Sequence, residues 1–73
     1  MPTRVRSDMV ANVWKVSVSV GDAVSEGDTI VILESMKTEI PVEAPHDGTV
    51  TEMLVVEGGS VAEGDVIAVL DRS

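Results

Sequence analysis

The chain has 73 residues, a formal net charge of −8, no cysteine, and one tryptophan as its only aromatic residue of the Phe, Tyr and Trp set. A chain this short makes one small domain, residues 1–73, which buries only about 60% of the surface its unfolded form exposes, and without thiols neither a disulfide nor a thiolate metal site can support it. The acidic balance excludes a nucleic-acid or anionic-lipid binder, because both need a basic footprint.

Apolar runs such as Ile30 to Leu33 fall far short of the roughly 20 residues of a membrane-spanning helix. The N-terminus lacks the apolar stretch of a secretory signal. These features predict a cytoplasmic protein that begins at its own Met1, which favours a free-standing chain over an excised piece. They also predict a monomer, because no large apolar patch is marked. The apolar residues are mostly Val, Ile and Leu, and β-branched side chains suit a pleated, half-buried surface.

In chain order, the first clear signal is Val16, Val18 and Val20 alternating with Ser17 and Ser19, the period of a strand with one buried face. Gly21-Asp22 follows as a turn, because glycine takes positive φ without a Cβ penalty. Val24 stands alone between this turn and the next, "EGD" at Glu26 to Asp28, and is placed in the core. A strand is predicted over Thr29 to Leu33. After a reversal at Ser35 to Thr38, another strand runs over Thr38 to Glu43. The pattern then starts again. Val13 to Glu34 lies over Val50 to Asp71 at a constant offset of 37 residues, with Gly21 on Gly58, Val24 on Val61, and the "EGD" at Glu26 on the "EGD" at Glu63. Gly58-Gly59 and Glu63 to Asp65 are the second pair of turns, and Val66 to Leu70 is the matching strand. Two copies are too few for a solenoid, so the halves are expected to pack on each other about a pseudo-twofold axis. No stretch keeps a 3.6-residue period, and short strands spaced by turns read as an all-β sandwich or barrel.

The offset also isolates the reversal. Glu34 ends copy one where Asp71 ends copy two, so Ser35 to Thr38 is an added connection, expected at the end of the molecule opposite both termini. Two-residue hairpins prefer Asn-Gly and similar pairs because both central residues need positive φ, yet the centre here is Met36-Lys37. Departures from local preference gather at functional sites. Of the chain's two lysines, Lys15 reads as a solvent-facing strand residue and Lys37 as the tip. Met36 is apolar at an exposed position, where a flexible thioether suits a partner better than a turn.

"ESMKTEI" at Glu34 to Ile40 resembles the attachment hairpin of biotinyl domains, in which Glu, a small residue and Met-Lys-Met precede a strand. "VSVGDAVSEGD", "APHDGTV" and "VVEGGSVAEGD" resemble the same family in the same phase, so the likeness covers about Met9 to Leu70. It implies a flattened barrel-sandwich hybrid of two antiparallel four-stranded sheets, with Lys37 carrying biotin in amide linkage. Glu34, Ser35, Met36 and Thr38 would then form the hairpin that a biotin ligase recognises. The related lipoyl domains usually have Asp-Lys-Ala at this place, so Met36 favours biotin. Thr38 replaces a second Met, which removes one soft apolar contact. Ala11 replaces a turn Gly in "SDMVANV", a change expected to alter turn geometry far from Lys37.

By the same resemblance the chain is a non-catalytic carrier. A biotin protein ligase would present biotinyl-adenylate to the Lys37 amine. Biotin carboxylase and carboxyltransferase subunits of a carboxylase, decarboxylase or transcarboxylase would then load and unload carboxylate. Nothing in the residues supplies a catalytic site. The single His46 follows Pro45 in a turn and is read as a solvated loop residue, since a general base needs hydrogen-bonded company. The acidic residues lack EF-hand spacing. Trp14 is read as a strand residue packed against the sheet. The alternatives are a lipoyl carrier and an unmodified β-barrel interaction module.

Overall fold

The alternating valines and isoleucines fold into eight strands: β1 (Pro2–Arg6), β2 (Ala11–Val16), β3 (Ala23–Val24), β4 (Thr29–Ser35), β5 (Thr38–Glu43), β6 (Gly48–Met53), β7 (Ser60–Val61) and β8 (Val66–Arg72). The computed structural model describes residues 2–72. All described pairings are antiparallel. One sheet has the order β1-β8-β6-β3 and the other β5-β4-β2-β7. Among the described residues there is no helix, and so none long and apolar enough to cross a membrane.

The 37-residue offset is structural as well as sequential. β2, β3 and β4 map onto β6, β7 and β8, and β1 maps onto β5. The halves interlock, because β3 of the first half pairs with β6 of the second and β7 of the second pairs with β2 of the first. The backbone bonds that bind the halves recur in matched sets. Gly21 N–H donates to Val50 O (2.7 Å) and Val50 N–H to Asp22 O (2.9 Å); Gly58 N–H donates to Val13 O (2.9 Å) and Val13 N–H to Gly59 O (2.8 Å). The core is equally paired. Val13 and Val50, Ile30 and Ile67, and Leu33 and Leu70 are fully buried at the interface of the two sheets. Burying one such side chain is worth about 1.5–3 kcal/mol, so each of the six contributes on that scale to the centre. Val24 and Val61 are buried as expected.

Two turns per half hold the strands in place. Gly27 and Gly64 have φ of 90° and 89°, the left-handed region in which a Cβ is strained. The aspartate that follows each glycine closes its turn: Asp28 Oδ2 accepts the N–H of Ser25 (2.9 Å) and Asp65 Oδ2 that of Ala62 (2.8 Å).

The predicted strand over Val16 to Val20 ends at Val16. Ser17 N–H still donates to Ile30 O (2.9 Å), but Ser19 N–H donates to Asp22 Oδ2 (2.8 Å), so the turn takes the backbone away from the ladder. Val20 is exposed. β4 runs two residues beyond Leu33, and β1, which carries only one buried apolar residue, Val5, has no counterpart among the expected strands. Arg72 at the end of β8 pairs with Gly48, four residues from Ala44, and Ala44 N–H donates to Asp28 O at the start of β4. Because Pro2 pairs with Asp71, both ends of the described chain gather near the start of β4. The β4–β5 turn lies at the other end of that strand, as the repeat implies.

Candidate functional site

Ser35 and Thr38 form the last pair of the β4–β5 ladder, which leaves Met36 and Lys37 as a two-residue turn. Their φ values are 52° and 66°, the only positive φ values among the described non-glycine residues. This is the left-handed pair that type I′ hairpins need to match strand twist. Each L-residue held there costs about 1–2 kcal/mol, so the sequence keeps an unfavoured pair where Asn-Gly would fold better. Met36 is 94% exposed. Lys37 is exposed too, and no side-chain hydrogen bond or salt bridge among the described residues involves it. Its amine is therefore presented to solvent at the apex of a turn with paired strands directly behind it.

Glu34 and Ser35 are half-buried and Thr38 is exposed. Glu34 stands directly opposite Glu39 on β5 and beside Asn12 on β2. Like charges facing each other across a ladder destabilise it, so the hairpin base is acidic at a cost to folding. Among the described residues there is no cavity, and no group of three or more His, Asp or Glu side chains converges.

Three side chains are placed differently from expectation. Ala11 is not in a turn. It is buried at the start of β2, one residue beyond the Asn12–Glu34 pair, and so lies alongside Ser35 at the hairpin base. Its counterpart 37 residues on is Gly48, which pairs with Arg72. A Cβ at Gly48 would clash with Asp71 O and lie 3.1 Å from Asp71 C. In the first half, where the Ala11 methyl occupies that place, the β2–β4 ladder stops at Asn12–Glu34 with no Ala11–Ser35 pair. The offset of 37 applied to Gly48 is the signal that could have found this.

His46 is half-buried and bonded rather than solvated: Nε2 lies 2.7 Å from Thr3 Oγ1, and Nδ1 lies 2.7 Å from Asp47 O. A carbonyl only accepts, so Nδ1 carries a hydrogen, and the ring ties β1 to the β5–β6 connection. Trp14 is 49% exposed on β2, at a bulge where the register passes from Val13–Leu33 to Lys15–Ile32. It follows the inward Val13, so strand alternation places the indole on the outer face, where about half of it stays exposed.

The profile of the family described as "Biotin-requiring enzyme" matches residues 3–70. A "Biotinylated protein TB7.3 homolog" of Mycolicibacterium smegmatis is 52% identical over 71 residues, covering 97% of this chain and all of that one. A "Biotin/lipoyl attachment protein" of Bacillus subtilis is 46% identical over 69 residues, with 94% of each chain covered. Among solved structures, the urea carboxylase of Kluyveromyces lactis contains a segment that superposes with a TM-score of 0.91 at 37% identity, covering 97% of this chain and 6% of the carboxylase.

Proposed function

The chain belongs to the biotin-requiring family of attachment domains and is a biotin carrier, and from that premise we propose that Lys37 is the residue that carries the cofactor in amide linkage. The observation that supports this reading is the presentation of Lys37: an exposed primary amine on a left-handed two-residue turn, with no ion pair among the described residues. An acyl group needs a nucleophilic amine that an enzyme can reach without unfolding the chain, and this lysine meets that condition. Lys15 is exposed as well, but it lies within β2 opposite Ile32 of β4, on a sheet face rather than at an apex.

In the attachment step, the Lys37 ammonium would lose one proton to the ligase, its neutral Nζ would attack the carboxyl carbon of biotinyl-adenylate, and a second N–H proton would pass to solvent as the amide forms. A C–N bond forms, the C–O bond to adenylate breaks, and AMP leaves. Acylation removes one positive charge from a chain of net charge −8. Bound biotin supplies a ring nitrogen that accepts and releases carboxylate. The protein's part is to hold the attachment point still: the Ser35–Thr38 pair fixes the base of the turn, so motion is confined to the long side-chain arm. Tethering makes each later encounter intramolecular, with an effective concentration on the order of millimolar.

The chain itself performs no catalysis on this reading. It serves biotin carboxylase and carboxyltransferase partners, acts as a monomer in the cytoplasm, and relies on a separate biotin protein ligase. Glu34, Ser35, Met36 and Thr38 form the part of the hairpin that the ligase meets. The test is intact-mass analysis and peptide mapping after co-expression with a biotin ligase and biotin. One biotinyl adduct on Lys37 is expected. A lipoyl adduct, an adduct on Lys15, or an unmodified chain would overturn the assignment.

A further inference from the structure

Each half of this domain serves as a control for the other. Trp14 and Thr51 are 37 residues apart, and both are the extra residue of a bulge: β2–β4 passes from Val13–Leu33 to Lys15–Ile32, and β6–β8 passes from Val50–Leu70 to Glu52–Val69. What the fold needs at this place is met by a small polar residue, for Thr51 Oγ1 donates to Val69 O (3.2 Å). The indole of Trp14 is therefore not explained by the bulge. Ile32, half-buried, pairs with the exposed Lys15 that follows Trp14 in the bulge, and on the other side of Ile32 stands the exposed Pro41. Trp14, Ile32 and Pro41 thus make a stripe across three strands on the outer face of the sheet that bears Lys37, apolar except for Lys15 beside the indole. The matching row on the other sheet is Glu52 beside Thr51, then Val69 and Arg4, and there Val69 is covered. Between the stripe and the tip lies the row of Asn12, Glu34 and Glu39.

We propose that this stripe is the docking face for the biotin ligase, through an apolar socket for the Trp14 indole and basic side chains set against Glu34 and Glu39. The proposal rests on the carrier reading and deepens it. The ligase is the partner the geometry favours because it must bring Nζ itself, on a turn of only two residues, into its active site. Its surface must then lie against the hairpin base and the adjoining sheet. Enzymes that act later meet the cofactor at the end of a flexible arm and need less of the sheet. Ile32 is three residues from Ser35, about 10 Å along the strand, whereas a standard interface covers about 800 Å² per partner, a disc roughly 30 Å across. One partner spans both. Tryptophan is among the residues most enriched at the energetic centres of interfaces, and the acidic row calls for a basic complement that also speeds encounter.

The experiment measures biotinylation of the full chain by a biotin ligase with ATP and biotin, comparing wild type with Trp14→Thr, which installs the side chain that the second half uses at the same bulge. The expected result is a KM for the carrier raised at least tenfold with kcat changed less than twofold, recovery in Trp14→Phe, and matched melting curves for all three. Glu39→Gln should raise KM in low salt, with the difference vanishing in high salt. A Trp14→Thr chain biotinylated at Lys37 with wild-type KM overturns the docking face and leaves the carrier reading intact. Unchanged ligation with slower loading by a biotin carboxylase subunit also overturns it, assigning the stripe to that enzyme. A wild-type chain that takes no biotin at Lys37 overturns the carrier reading itself.

Discussion

Replacing Gly48 by alanine tests how closely β6 and β8 are matched. Gly48 is buried, and a Cβ there would overlap Asp71 O while lying 3.1 Å from Asp71 C and 3.6 Å from Arg72 Cα. The obstacle is backbone, so relief requires the strands to part by a large fraction of an ångström. Overpacking of this kind costs about 1–3 kcal/mol. Loss of unfolded-state freedom on replacing glycine returns about 0.4–1 kcal/mol, leaving a net destabilisation of about 1–2 kcal/mol. For a chain of this size each kcal/mol moves the melting midpoint by about 4–8 °C, so a fall of roughly 5–15 °C is expected by calorimetry. Hydrogen exchange should show faster exchange confined to the Gly48–Arg72 end of the β6–β8 ladder. The first half provides the precedent, because Ala11 occupies the same place and its ladder ends one pair earlier. The reverse change, Ala11→Gly, should slow amide exchange at Ser35. A Gly48→Ala chain with an unaltered midpoint and unaltered exchange at Arg72 would refute the argument.

Lys37→Ala should leave the melting midpoint within a few degrees of wild type and abolish the biotin adduct in intact-mass spectra. Gly27→Val and Gly64→Val should each lower stability by about 1–3 kcal/mol. Open space surrounds both positions, so the effect comes from φ values near 90° rather than from a clash; equal denaturant midpoints for variants and wild type would exclude it. Met36→Asn should raise stability by about 1 kcal/mol, because asparagine tolerates the left-handed region, while slowing ligation if the thioether contacts the ligase. A lower melting midpoint in that variant would show that the turn is not strained.

The 37-residue repeat, the absence of helix, the glycine turns and the Ser35–Thr38 reversal were all readable because each rests on spacing or on a conformational requirement of one residue type. Val24 and Val61 were readable as core residues because a lone valine between two turns has nowhere else to go. β1 escaped notice because an edge strand with one inward valine, Val5, leaves almost no alternation to detect. The same offset that revealed the repeat would have marked it as the counterpart of β5, since Val5 matches Val42. The serine–valine alternation overstated β2, for period two permits a strand but does not decide where the ladder ends. A carboxylate decided that, when Asp22 captured the Ser19 amide. The Thr3–His46 bond joins residues 43 positions apart, and no local pattern encodes it. The lysine was legible as an anomaly in a turn, whereas the acidic row and the outward indole beside it needed the register of three strands.

Pro2 lies across from Asp71, and both are at the far side of the molecule from Lys37. A unit whose entry and exit sit together can be threaded into another polypeptide as a side branch, with the host sequence never crossing the working end. This portability accords with the range of hosts for closely similar folds, from chains no longer than this one to a urea carboxylase of which the matching segment makes up 6%.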